Sequence, residues 1–309
     1  MSYQLRLDQS LGENLRRIFS RQIEGALAVA NGEREPNDTA VHAMRKHLKK
    51  ARAVLQLIRR EIGDDCFRRQ DHRLRDVGRL TTEIRDAEVR LQTIRQIENT
   101  IHRRHNASYR RIESLLAFEL ENFAAALGGW EKRATLLLDK ARKAINEWSI
   151  DDYDRKQLWR ALRFTYRCGR KAFRAVQAKP TTANFHELRK QVKRLGYQVR
   201  LLRPLNQIVI GALSDELTGL GDLLGRVHDL TFLADRLRPE RREPNWRKQD
   251  DELLAAIENS QAELQRDAAE LTERFFAERP SEFGRLIKKR FEDARHAESA
   301  SIARELASA

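Results

Sequence analysis

Cysteine and long apolar runs are scarce in this sequence of 309 residues. Its two cysteines, Cys66 and Cys168, lie far apart and outside any CxxC or Cys/His cluster, so neither a disulfide framework nor a zinc site is indicated. No segment is apolar for long enough to predict a membrane span, and the N-terminal segment lacks the apolar core of a secretory signal. We therefore expect a soluble cytoplasmic protein with no membrane partner.

Glycine and proline are also few, at 14 and 6 residues, and the prolines fall between long runs rich in Ala, Leu, Arg and Glu. No segment shows the alternation of β-branched residues that predicts a strand. The helical periodicity predicts an all-α protein of about ten helices. They cover approximately residues 10–30, 39–62, 68–98, 103–127, 130–148, 151–177, 181–203, 206–238, 245–278 and 281–305.

Positive charge is in excess. Sixty Lys and Arg residues against 46 Asp and Glu give a formal net charge of +14, which favours an anionic partner without identifying it. Nucleic acid, acidic lipid and polyphosphate all stay open at this point. Arginine dominates the basic set, and its planar guanidinium binds phosphate oxygens in pairs, so phosphate is a better candidate than carboxylate.

A basic motif occurs twice, 144 residues apart: HAMRKHLKK from His42 aligns with HELRKQVKR from His186. A second match, LxxxGxLxxx(I/V)xD, follows each copy, ending at Asp86 and at Asp229. Two matches in the same order indicate an internal duplication. We predict two pseudo-symmetric halves that resemble four-helix bundles, over residues 1–150 and 151–309.

Both copies are amphipathic as helices. On a helical wheel His42, Arg45, Lys46 and Lys49 fall within about 100° of one another, opposite the apolar stripe. A charged helix face is usually a solvated face, but a solvated face normally mixes signs, and no acid occurs from residue 42 to 60. The pattern therefore favours anion binding, with the two Asp residues orienting arginines by ion pairing.

The histidine at the start of each copy has several candidate roles. His42 and His186 are predicted near the starts of their helices, where the helix dipole lowers a histidine pKa. Capping or core packing, contact with a phosphate oxygen, and metal binding stay open. Metal is the weaker reading, because neither histidine has a second His or a carboxylate at i+3 or i+4.

These motifs resemble the CHAD family, the histidine-containing α-helical domain. The resemblance covers about residues 5–290. It implies one domain of two four-helix bundles whose basic helices line a central cavity or groove, and it implies binding of inorganic polyphosphate and association with polyphosphate granules.

The resemblance also carries over individual residues. The matching positions are His42, Arg45, Lys49, Lys50 and Arg52 in the first copy, His186, Arg189, Lys193 and Arg194 in the second, and Tyr166, Arg167, Arg170 and Lys171 in the preceding helix. The wheel adds Lys46, Lys190, Tyr197 and Arg200 to the predicted binding residues. Gly196 stands where the first copy has Arg52, and we expect Arg200 and Arg203 to compensate.

Four other functions compete with polyphosphate binding. An enzyme is disfavoured, because no ExExK, P-loop, GxSxG or HExxH motif occurs, and no cofactor is predicted. Nucleic-acid binding is the main alternative, although only Tyr166 and Tyr197 lie near the basic stripe as stacking platforms. A metal-binding histidine module or a granule scaffold also stays open, and the oligomeric state is not predicted.

Overall fold

The described structure is a computed structural model that covers residues 3–33, 39–101 and 106–289. Within these ranges the chain is helical without any strand, which confirms the all-α prediction. Up to residue 147 the α-helices are α1 (Leu11–Ala30), α2 (Ala40–Leu57), α3 (Arg59–Ile62), α4 (Asp64–Arg79), α5 (Thr82–Ile101), α6 (Asn106–Ala126) and α7 (Trp130–Ala144). They are followed by α8 (Arg155–Ala178), α9 (Thr182–Leu201), α10 (Val209–Leu237), α11 (Lys248–Phe275) and α12 (280–289).

Capping residues and glycines set the limits of these helices. Ser10 and Glu13 form a capping box at the start of α1, and Asp154 and Gln157 form one at the start of α8. Gly63, between α3 and α4, has a φ of 78°, in the left-handed region that glycine adopts without strain. The predicted loop at Pro36 and the end of the last predicted helix lie outside the described residues.

The prediction of one helix over residues 68–98 was wrong, because the chain breaks between α4 and α5. At this break the Gly78 carbonyl accepts hydrogen bonds from the Arg45 guanidinium (2.7 Å) and from the Thr82 hydroxyl (3.1 Å). A side chain from another helix therefore satisfies an acceptor that would otherwise pair within the helix. In the second half the equivalent segment runs uninterrupted through α10.

The packing joins the two halves of the sequence. The α1, α2, α4 and α7 helices pack together, as do α8, α9, α10 and α11, and α2 contacts both α8 and α9. The main hydrophobic core is continuous across these groups, from Phe19 and Leu55 to Tyr166 and Leu195. The predicted boundary at residue 150 lies between α7 and α8, and the division into two bundles stays a prediction.

A second, smaller core forms where α5 and α6 pack against α10 and α11. Ile94 and Ile112 from the first half meet Leu233 and Ile257 from the second, and all four are fully buried. An ion pair between Arg111 and the buried Asp250 (2.5 Å) also joins α6 to α11. None of the helices in the described ranges is long and apolar enough to cross a membrane.

Replacing Ile94 or Ile257 by alanine should lower the free energy of unfolding by about 2–4 kcal/mol, because each change leaves a cavity in this second core. Chemical denaturation measures the loss. The matched control is Ile208→Ala at a position that is 84% exposed, which should change the free energy by less than about 0.5 kcal/mol. Equal small effects at all three positions would contradict the packing of α5 and α6 described above.

Candidate cation-rich binding site

The two copies of the basic motif lie on α2 and α9, which pack against each other. Their apolar stripes are buried as the wheel predicts, with Met44 on α2 and Leu188 and Val192 on α9 fully enclosed. The Gln198 amide on α9 donates to the Ala53 carbonyl on α2 (3.1 Å), which ties the two helices where they meet. Because both stripes enter the same core, the basic faces are brought near each other.

Five cations gather on this face, and we call them the central cluster: Arg45, Lys49, Arg85, Arg189 and Lys193. The protein atoms packed around Lys49 and the four neighbouring cations lower its pKa to about 7, and burial is the largest cause. The Lys49 side chain is nevertheless exposed at one side, so solvent screens part of this repulsion. A lysine that loses its charge near neutral pH marks a place where positive charge is crowded.

The two equivalent lysines of the cluster differ in their partners. Lys193 forms an ion pair with Asp222 (2.7 Å). In the first half the position equivalent to Asp222 is Arg79, and Arg79 is paired with Asp76 (2.7 Å). Lys49 therefore lacks the carboxylate partner that Lys193 has, and no other carboxylate pairs with it among the described residues.

The arginines of the cluster differ in their partners, and Arg85 is paired with Glu88 (3.0 Å). Arg45 donates to the Gly78 carbonyl (2.7 Å), whereas the Nε of Arg189 is buried without a partner among the described residues. The expected ion pairs of Asp86 and Asp229 with arginines are not formed within the described residues. Burial raises the pKa of both carboxyl groups. Nearby arginines oppose that rise: the strongest is Arg45 for Asp86 and Arg189 for Asp229. These carboxylates offset part of the positive charge of the central cluster, but they form no ion pair with its guanidinium groups.

The basic surface extends from the cluster in two directions. Toward α8, Arg52 forms an ion pair with Asp71 (2.7 Å). Arg52 also lies near Arg194, and the pKa of Arg194 is lowered mainly by burial and next by Arg52. Toward the N-terminal segment, the Lys50 ammonium lies over the Tyr3 ring at 5.4 Å, and Tyr3 packs edge-on against Tyr197 (6.3 Å).

Lys46 and Arg200 both lie near Tyr197, whereas Lys190 is paired with Glu187 (2.6 Å). Of the two residues expected to compensate for Gly196, Arg200 lies near Tyr197, whereas Arg203 is paired with Asp215 (3.3 Å).

The four binding residues predicted on α8, the helix before the second motif, lie in different surroundings. Tyr166 is fully buried in a cluster with Phe275, Phe276 and Phe283. Its hydroxyl donates to the Glu278 carbonyl (3.0 Å), so it belongs to the core and not to a binding face. Arg170 donates to the Ala277 carbonyl (3.4 Å) on the same side. Arg167 and Lys171 are exposed and lie close enough to Cys168 to influence its pKa.

The structure corrects the capping role considered for the two histidines. The side chains that cap α2 and α9 are Thr39 and Thr181. His42 lies in the first turn of α2, where its backbone N–H donates to the Thr39 hydroxyl (3.2 Å). His186 lies one turn into α9, and its pKa is lowered first by burial and then by Lys190 and Arg189.

Sequence reasoning missed Arg85, which belongs to the central cluster, and His228, which lies beside it. The His228 ring is 5.1 Å from the His186 ring, and burial together with Arg189 lowers its pKa to about 4. The signal was available, because Arg85 and His228 directly precede the repeated Asp86 and Asp229 at equivalent positions. Among the described residues, no three His, Cys, Asp or Glu side chains lie together in a way that could hold a metal ion.

Comparisons with known proteins were made for sequence and for fold. A protein-family model described as the CHAD domain matches residues 17–238, which is more than half of the chain. Among solved structures, PptA from Streptomyces chartreusis has a similar fold, with a TM-score of 0.60 and 15% identity over 86% of this chain and 99% of that chain. At this identity the likeness concerns the fold alone. The comparison with curated proteins finds no match.

Replacing Lys49 by methionine should change how stability depends on pH. Below the folded pKa of about 7, Lys49 is charged in both states and the cost of crowding it among cations is present in full. As the pH rises from about 7 toward the ordinary lysine pKa, the unfolded chain binds more protons than the folded one, so that cost is removed. The Lys49→Met variant should therefore gain on the order of 1 kcal/mol over the wild type near pH 6, a value discounted for solvent screening.

Denaturant unfolding of both proteins from about pH 6 to pH 9 tests this expectation, and the gain should shrink across that range. Lys132→Met, at an exposed lysine on α7, serves as the matched control and should show a constant difference from the wild type. If the difference for Lys49→Met is also constant with pH, Lys49 is not in a crowded cationic environment.

Proposed function

Because the chain belongs to the CHAD family, we propose that it binds inorganic polyphosphate through the basic faces of α2 and α9, without catalysing a reaction. The single observation that carries the proposal is the central cluster. Four cations surround Lys49, which has no carboxylate partner among the described residues, and the Nε of Arg189 is an unused donor. Such an arrangement is unfavourable in isolation, and an anion that spans it would relieve the repulsion.

The proposed contacts fall into a core and a flank. The core consists of Arg45, Lys49, Arg85, Arg189 and Lys193, where the charge is most crowded. The flank consists of the other predicted residues at or near the surface, namely His42, Lys46, Lys50, Arg52, Arg167, Lys171, His186, Lys190, Arg194, Tyr197 and Arg200. Tyr166 is left out because it is buried and hydrogen-bonded. Arg170 is left out because it follows Tyr166 by four residues on the same side of α8 and donates to the Ala277 carbonyl there.

Polyphosphate fits this face better than the alternatives for two reasons. Arginine forks bind phosphate oxygens in pairs, and a long chain engages many forks at once, which raises the avidity. Nucleic acid would add bases that need stacking platforms, yet Tyr197 is engaged by Tyr3 and Tyr166 lies in the core. Association with polyphosphate granules would follow directly from this binding.

The proposal predicts that Arg45→Glu combined with Arg189→Glu weakens polyphosphate binding by at least about a hundredfold, because two forks are lost and two repulsive charges are added. A titration at about 150 mM salt measures the affinity. Repeating it with duplex DNA separates the two polyanions, and wild-type affinity should be clearly higher for polyphosphate. Raising the salt should weaken the binding steeply, because counterions are released on association.

The matched control reverses the same number of charges elsewhere: Lys132→Glu with Arg133→Glu on α7, where both side chains are exposed. It should lose far less affinity than the cluster variant. Equal losses in the two variants, or equal wild-type affinity for polyphosphate and DNA, would sink the proposal. Adding EDTA should leave binding unchanged, and strong sensitivity to it would favour a metal-binding histidine module.

A further inference from the structure

A groove with a volume of about 740 Å³ lies beyond the C-terminal end of α2. Its walls come from the end of α2 and the short α3, from the first half of α8, and from the start of α12. Half of the polar residues in its lining are arginines: Arg59, Arg60, Arg160, Arg163 and Arg167. Only the last of these belongs to the binding residues predicted from the sequence.

The charge of the groove is poorly balanced. Its carboxylates are Glu61 and Asp64, and Asp64 is already paired with Arg59 (2.8 Å). Arg60, Arg160 and Arg163 are exposed and have no ion-pair partner among the described residues. Several exposed arginines elsewhere are paired with nearby carboxylates, such as Arg68 with Asp65 (2.6 Å) and Arg79 with Asp76 (2.7 Å). The groove therefore concentrates cations that the protein leaves unpaired.

The groove continues the basic face of α2. On a helical wheel Gln56, which lines the groove, falls within about 20° of Lys49. The two residues are separated by about 10 Å along the helix axis at 1.5 Å per residue. Arg52 lies between them on nearly the same face.

Basic residues of α8 and α9 also lie between the central cluster and the groove. Arg194 on α9 is a charged neighbour of Arg52, and both Arg194 and Arg167 are charged neighbours of Cys168 on α8. Arg167 lines the groove, with its guanidinium over the Phe164 ring at 5.3 Å. A basic path thus leads from the central cluster through Arg52 and Arg194 to Arg167 and into the groove.

We propose that this groove is a second polyphosphate subsite, which holds one part of a long chain while another part occupies the central cluster. The inference rests on the proposed function and adds to it a preference for chain length. A chain long enough to reach both places gains from two linked sites, whereas a short chain occupies one of them. The cluster is the stronger site for a short chain, because it surrounds the ligand with five cations instead of lining one side of an open groove.

The test compares long-chain polyphosphate with tripolyphosphate at about 150 mM salt, using wild type and the double variant Arg160→Gln, Arg163→Gln. Both side chains are exposed, so the fold should be kept, and a thermal melt checks this. The variant should lose on the order of tenfold in affinity for the long chain and less than about twofold for tripolyphosphate. The salt dependence of long-chain binding should also weaken, by about 0.7 in the log–log slope for each lost contact.

Lys132→Gln with Arg133→Gln on α7 removes the same charge outside the groove and should leave both affinities nearly unchanged. An equal loss for both chain lengths would mean that the groove acts only through its general field, and no loss for either would mean that the ligand does not reach it. Each of these results overturns the inference and leaves the proposed function standing. If the wild type binds neither polyphosphate, the proposed function fails, and the inference fails with it.

Discussion

The burial of two apolar stripes is the constraint on which this structure depends. The motif helices α2 and α9 each carry apolar residues on one side and cations on the other, and both bury the apolar side in one continuous core. Their cationic sides are then close enough for Arg45, Arg189, Lys193 and Arg85 to lower the pKa of Lys49 to about 7. The hydrophobic effect thus stabilises an arrangement of charge that is unfavourable by itself.

The duplication is not symmetric in its chemistry, and the asymmetry has a physical cause. Lys193 is neutralised by Asp222, but arginine replaces that aspartate at position 79 in the first half. The helix is also broken beside Gly78, whose carbonyl accepts from Arg45, whereas α10 runs straight through the equivalent Gly221. The first half therefore supplies the less compensated cations, and the second half supplies the straighter frame.

Much of this was predictable from the sequence, because it depends on local pattern. The helical periodicity and the duplicated motif predicted an all-α protein, and the wheel placed Met44 and Leu188 on the buried side, where they are found. The errors concern tertiary contacts. The break after α4 involves a guanidinium from α2, and the burial of Tyr166 needs phenylalanines from α11 and α12. Arg85 reaches the cluster from α5. A wheel drawn for one helix contains none of these.

The central claim is that a polyanion binds to the crowded cations around Lys49. The number of protons taken up on binding tests it most directly. At about pH 8 the free protein holds Lys49 mostly neutral, because its pKa is about 7, and a bound phosphate chain would raise that pKa. Calorimetric titration of polyphosphate in two buffers with different ionisation enthalpies counts the protons taken up. The account predicts that the wild type takes up close to one proton more than Lys49→Met. Equal proton counts for the two proteins would contradict it.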